Sequence, residues 1–248
     1  KILKMFSANY SQNCTTFDPK GKIMQIDYAK EAVKQGFTSL GLKSNTHVVL
    51  VGLKKSQHDL AHHQEKLFEI DDHMGIAISG MTADARFLCK FMRNQCINYS
   101  YTHESNQPAE RLVGQIAKKS QVKTCHPSKR PFGVGLLVAA IDESGTHLFE
   151  TCPSANYYEY HAMAIGDRCQ SAKTYLERNY ESFAALGWED LVKHGVKAMR
   201  ASAQDTELTE HNVSVGIVGK DQKFRMLTPQ ELRQYLAGSD GAEPMQIA

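Results

Sequence analysis

Tyr10-Ser11-Gln12-Asn13-Cys14-Thr15-Thr16-Phe17-Asp18-Pro19-Lys20-Gly21 leads directly into Lys22-Ile23-Met24-Gln25-Ile26-Asp27-Tyr28-Ala29-Lys30-Glu31-Ala32-Val33-Lys34-Gln35-Gly36. The first half has no helical period and ends in a turn. Pro19 has a fixed φ that suits the second turn position, and Gly21 takes positive φ freely. The second half is an amphipathic helix. Ile26, Ala29, Ala32 and Val33 recur at three- and four-residue spacing, and Gly36 sits where a helix commonly stops. Asp27, Lys30, Glu31 and Lys34 fall on the other face. Of the neighbours Asp27–Lys30, Asp27–Glu31 and Lys30–Lys34, only the first attracts, so pairing does not hold this helix. Its apolar stripe needs something to dock on.

Beyond Gly36 the period turns extended. Residues 37–43 and 47–54 read as two strands joined through a Ser44-Asn45 turn. Residues 55–65 are polar. Residues 66–70 and 75–79 form a second hairpin around Asp71-Asp72-His73. A long helix is expected from Thr82, as its N-cap, to about Tyr99, with Ala85, Leu88, Cys89, Met92 and Cys96 on its apolar face. Pro108 stands at the start of a second helix that lasts to about Val122. Strands are expected over 134–141, 147–151 and 158–165, helices over 172–180 and 188–203, and strands over 213–218 and 224–227. Thr228-Pro229-Gln230-Glu231 opens a short helix with a capping-box pattern. The tail from Gly238 is expected to fray. Hairpin-linked strands alternate with paired helices, which argues for antiparallel sheets covered by helical layers. Residues 1–238 read as one domain and 239–248 as a flexible tail.

Composition narrows the function classes. The chain has 248 residues, 42% of them hydrophobic and 23% charged, with a formal charge of +2. That balance gives no reason to expect nucleic acid or an anionic membrane as partner. No apolar run approaches the roughly 20 residues of a membrane helix. The opening Lys1-Ile2-Leu3-Lys4-Met5-Phe6 is too short in its apolar part for a signal peptide. The first residue is not Met, which makes Met5 a candidate native start. Cys14, Cys89, Cys96, Cys125, Cys152 and Cys169 form no Cys-x-x-Cys pair and read as free thiols in a reducing compartment. The sequons at Asn13, Asn98 and Asn212 carry no glycan without secretion.

Chemistry is sparse. His58, His62, His63 and His73 are the nearest approach to a metal cluster, but no cysteine is near and the segment reads as a connector. No cofactor or metal is expected. Cys152 has neither histidine nor cation beside it in sequence to activate it. Gly133-Val134-Gly135 is not followed by a helix, so it is not a phosphate loop. Lys54-Lys55, Lys118-Lys119 and Lys129-Arg130 read as ordinary surface.

The opening stretch resembles the alpha-subunit signature of the 20S proteasome. That family runs from a Tyr-Asp start through Thr-x-Phe-Ser-Pro-x-Gly to a Gln-x-x-Tyr-Ala-x-Glu-Ala-Val helix ending in Gly. The matches here are Tyr10, Thr15, Phe17, Pro19, Gly21, Gln25, Tyr28, Ala29, Glu31, Ala32, Val33 and Gly36. Gly80-Met81-Thr82-Ala83-Asp84-Ala85-Arg86, Arg130-Pro131-Phe132-Gly133-Val134-Gly135 and Ala164-Ile165-Gly166 resemble the family too. Residues 151–157 and 170–178 single out one of its branches. The resemblance implies an α+β fold: a four-layer αββα sandwich of two antiparallel sheets, the N-terminal-nucleophile hydrolase fold, with a gate segment at 1–21 and an added helix at 22–36.

It also implies roles. Catalytic beta subunits of that family begin their first strand with a free N-terminal threonine. Here that position is Phe37, its nitrogen bound to Gly36, and the carboxylate position falls on Leu53. Only the lysine has a counterpart, Lys66. The resemblance therefore implies a non-catalytic subunit of a threonine-protease complex. The alternative, an active peptidase, needs internal cleavage. Lys66, with Gly36 and Ile23, would line a pocket that takes the C-terminal carboxylate of a regulator's tail. The bland alternative for Lys66 is a surface lysine. Tyr10, Pro19 and Tyr28 match three members of the gate cluster, and Ser11 replaces its aspartate, exchanging a charge-assisted hydrogen bond for a weaker neutral one. Implied partners are other alpha subunits, beta subunits and regulatory particles, in a hetero-oligomer of 28 subunits in cytoplasm and nucleus.

Overall fold

The computed structural model describes residues 13–54, 60–203 and 207–237. The proposed frayed tail, and Tyr10, Ser11 and His58, lie outside them. In chain order the elements are α1 (Met24–Lys34), β1 (Ser39–Lys43), β2 (His47–Leu53), β3 (Leu67–Asp71), β4 (Met74–Gly80), α2 (Thr82–His103), α3 (Ala109–Cys125), β5 (Val134–Asp142), β6 (Gly145–Thr151), β7 (Tyr157–Glu159), β8 (Ala162–Ile165), α4 (Cys169–Phe183), α5 (Trp188–Ala203), β9 (Val213–Gly219), β10 (Gln222–Met226) and α6 (Pro229–Ala237).

The strands form two five-stranded sheets, ordered β10-β9-β2-β1-β8 and β3-β4-β5-β6-β7, with every neighbouring pair antiparallel. Three apolar clusters define four layers. Leu40, Leu42, Val49 and Val51 of the first sheet pack on Leu176, Val192, Val196 and Met199 of α4 and α5. Ile76, Ile78, Leu136 and Val138 of the second sheet pack on Leu88, Met92, Leu112 and Ile116 of α2 and α3. Between the sheets lie Val48, Leu50, Leu67, Ala77, Leu137, Leu148 and Phe224. Alternation along each strand sends one face to a helical layer and the other to the central core, so both faces are buried. The αββα sandwich is thus present.

Several expectations change in detail. Residues 158–165 are not one strand. The chain breaks at Tyr160-His161, β7 pairs with β6 in one sheet, and β8 pairs with β1 in the other. Thr82 is not an N-cap. Met81 occupies the cap position without a side-chain hydrogen bond, its N–H donating instead to Gly133 O at 2.8 Å. Helix α2 runs on to His103, since no Gly or Pro interrupts it, and Glu104 ends it at φ 52°. On α1 a second attractive pair, Lys34 Nζ to Glu31 Oε2 at 3.1 Å, joins the Lys30–Asp27 pair at 3.9 Å. All four groups are well exposed, so neither pair contributes much and docking still holds the helix.

Two local signals hold as read. Gly21 N–H donates to Asp18 O at 2.9 Å and Gly21 sits at φ 75°, closing the Pro19 turn. Thr228 N–H donates to Glu231 Oε2 at 2.8 Å and Glu231 N–H to Thr228 Oγ1 at 3.4 Å, a complete capping box.

Candidate functional site

Helix α1 docks its C-terminal end over β4 and β5. Val33 and Ala32 lie over Gly135 and Gly133. The Ser79 hydroxyl is shared between Val33 O at 2.9 Å and Phe37 O at 3.2 Å, and Asp167 N–H donates to Gly36 O at 2.6 Å. A Cβ on Gly36 would stand 2.2 Å from Gly80 N and 2.5 Å from Ser79 Oγ. Only glycine permits this approach of helix end to strand end. The helix therefore leads straight into Phe37, and the residue that could carry a free amine is tied down on both sides.

Lys66 is buried, with 1% of its surface exposed. This overturns the surface alternative. Its stem lies against Gly52, whose Cβ would stand 2.9 Å from Lys66 Cβ. Its ammonium is 5.4 Å from the centre of the Phe37 ring. Burial pulls its pKa below the ordinary lysine value. Among the described residues, no carboxylate lies within ion-pair distance of it. Leu53 is buried in β2 opposite Val213, where it adds no charge. Phe37, Leu53 and Lys66 thus combine one amine with two apolar side chains, and none of the three positions carries a hydroxyl, thiol or carboxylate.

The remaining sequence-derived positions are dispersed. Ile23 caps the start of α1, its carbonyl accepting from Ile26 N–H at 3.1 Å. Gly36 is beyond the other end, with the whole eleven-residue helix, about 16 Å long by its rise, between them. Tyr28 is 49% exposed on α1, and Pro19 is exposed in its turn. His73 is buried, its Nε2 3.0 Å from Gln107 O, and among the described residues no three His, Cys, Asp or Glu side chains gather as a metal site. Cys152 is held as a neutral thiol: burial and then Glu150 push it up to about 12.

Sequence reading missed two residues. Arg130 is exposed, as expected of surface, but it donates to both oxygens of Asp84, at 2.6 and 2.8 Å. Cys14 is buried and donates to Lys129 O at 3.5 Å. Their partners lie 46 and 115 residues away, beyond any local pattern.

A family model described as Proteasome subunit matches residues 33–218, and a second, for the N-terminal signature of A-type proteasome subunits, matches residues 10–32. The chain belongs to the proteasome subunit family, in its alpha-type branch. Proteasome subunit alpha type-1 of Dictyostelium discoideum is 49% identical over 98% of this chain and 99% of that relative. The Schizosaccharomyces pombe protein named Probable proteasome subunit alpha type-6 is 41% identical over 94% of this chain and 86% of its own length. Proteasome subunit alpha type-1 of Drosophila melanogaster is 39% identical over 94% and 85%. Residues 151–157 and 170–178 resemble this same alpha type-1, or alpha-6, branch. The signature ends at Glu31–Ala32, inside α1, so the proteasome alpha feature and the docked helix are one object.

Proposed function

We propose that the chain is a non-catalytic subunit of the outer alpha ring of a proteasome. It forms part of the substrate entry gate, supports assembly of the beta ring and docks regulatory particles. The observation that carries this is Phe37. The position of a catalytic threonine holds a side chain without a nucleophile, its nitrogen bonded to Gly36 and its carbonyl engaged by Ser79. One domain over 1–238, with the opening residues as gate segment, belongs to the same reading and suits the central core that both sheets share. So does a place in cytoplasm and nucleus, which suits six unpaired thiols.

Regulator docking runs through Lys66. An ammonium with no carboxylate within ion-pair distance among the described residues is complementary to a terminal carboxylate, which its long stem would swing out of its present burial to meet. Ile23 and Gly36 stand at opposite ends of α1, so this chain would offer Ile23 to the pocket on one side and Gly36 with Lys66 to the pocket on the other, each completed by a neighbouring alpha subunit. Lys66→Met keeps the stem and removes the charge. In the assembled particle it should leave the ring intact and weaken binding of a regulator tail peptide about tenfold. Unchanged binding at the pocket beside this subunit would falsify the docking role.

A further inference from the structure

Residues 126–133, between α3 and β5, support both halves of the opening stretch. Cys14 is only 5% exposed, although Thr15 beside it faces solvent. Its thiol donates to Lys129 O at 3.5 Å, and burial pushes the thiol pKa up, so it stays a neutral donor. At the other end of this loop, Gly133 sits under α1, where a Cβ would stand 3.6 Å from Ala32 Cβ.

The loop is fixed by Asp84, in the first turn of α2. Arg130 donates to both carboxylate oxygens, at 2.6 and 2.8 Å, and Gly133 N–H adds a third bond at 2.9 Å. Met81 N–H closes onto Gly133 O at 2.8 Å. Burial by itself would raise the Asp84 pKa. The bonds from Arg130 and Gly133 outweigh it and hold the carboxyl below its ordinary value. Bidentate charge-assisted pairs are among the strongest side-chain contacts and fix geometry as well as distance.

We propose that Asp84 and Arg130 are positioning residues for the opening segment. Their pair holds the 126–133 loop, and the loop, through Cys14, fixes the start of the described opening stretch. The link to gating rests on the gate role proposed above. The positioning does not.

The test uses the assembled particle with Arg130→Met, and Arg130→Lys as the milder variant that keeps charge but loses the fork. Two readouts are taken: the alkylation rate of Cys14, followed by peptide mass spectrometry, and basal hydrolysis of a small peptide. A particle lacking residues 1–12 of this subunit is the open reference. In Arg130→Met, Cys14 should be alkylated about tenfold faster and basal hydrolysis should rise, with Arg130→Lys between it and wild type. Unchanged Cys14 alkylation in both variants overturns the positioning role. Faster alkylation without a rise in hydrolysis, in a particle that the deletion does open, overturns the link to the gate. If the deletion leaves hydrolysis unchanged, the gate role itself falls, and the alkylation rates still decide the positioning.

Discussion

The Lys66 ammonium lies 5.4 Å from the centre of the Phe37 ring, and the ring is what it faces in place of a nucleophile. A cation over an aromatic face recovers part of what burial costs, about 0.5–2 kcal/mol. The lowered pKa says that it does not recover all of it.

The linkage has a definite sign. The folded chain holds the Lys66 proton less tightly than the unfolded chain, so the unfolded state binds more protons between the lowered value and the ordinary one of about 10.4. Stability therefore rises with pH through that window. Lys66→Met should be more stable than wild type by about 1 kcal/mol at neutral pH. The gap should shrink as pH approaches the ordinary lysine value. Denaturant titrations of both chains at pH 7 and pH 10 measure it, and a gap that widens with pH contradicts the lowered pKa of the buried ammonium.

Gly36→Ala should cost about 3 kcal/mol or more, because its Cβ would meet backbone at 2.2 Å. Gly187→Ala is the control. Nothing lies within 4 Å of a Cβ there, and loss of chain entropy in the unfolded state makes it neutral or slightly stabilising. Thermal unfolding of the two variants should separate them clearly; similar melting temperatures would remove the close contact between α1 and β4.

Glu231 gives the C-terminal helix an acid limit. The Thr228 N–H and the Arg225 guanidinium hold its carboxyl at about 2. Its contribution is full above the unfolded value of about 4.3 and is lost as pH falls toward 2. Glu231→Gln, which removes the charge that the Thr228 N–H and Arg225 hold, should cost about 1 kcal/mol at neutral pH and flatten stability across that acid range. Chemical denaturation between pH 5 and pH 2 checks this, and an unaltered acid slope would rule out the capping box as its source.

Thiol chemistry should separate by burial. Cys89 is pushed up to about 11, and Cys96 and Cys152 to about 12, by desolvation first of all. Cys125 is exposed. Alkylation of the native chain at neutral pH should mark Cys125 first and spare those three, since the thiolate is the nucleophile. Peptide mapping after a short pulse reads the order.

Legibility follows the range of the forces involved. The Pro19 turn, the Thr228 capping box and the β1–β2 hairpin depend on residues within a few positions, and each is readable. The docking need of α1 is readable from its stripe, and the Gly133–Gly135 surface that meets it is not. Residues 158–165 read as one strand because alternation reports extended backbone and not which sheet edge it joins. Lys66 follows a polar connector, so local sequence alone places it at the surface, while a buried site assembled from β1, β2 and β3 swallows its stem. Arg130 and Cys14 look ordinary for the same reason: Asp84 and Lys129 reach them only through the fold.

The proposed function makes Phe37 an internal residue of a subunit in a larger ring. Native mass spectrometry of the endogenous complex, with the mass of this chain read after its release, tests that most directly. The expected result is a chain that still carries residues before Phe37, released from a particle of other alpha and beta subunits. A chain beginning at Phe37, or a ring of identical copies, would contradict it.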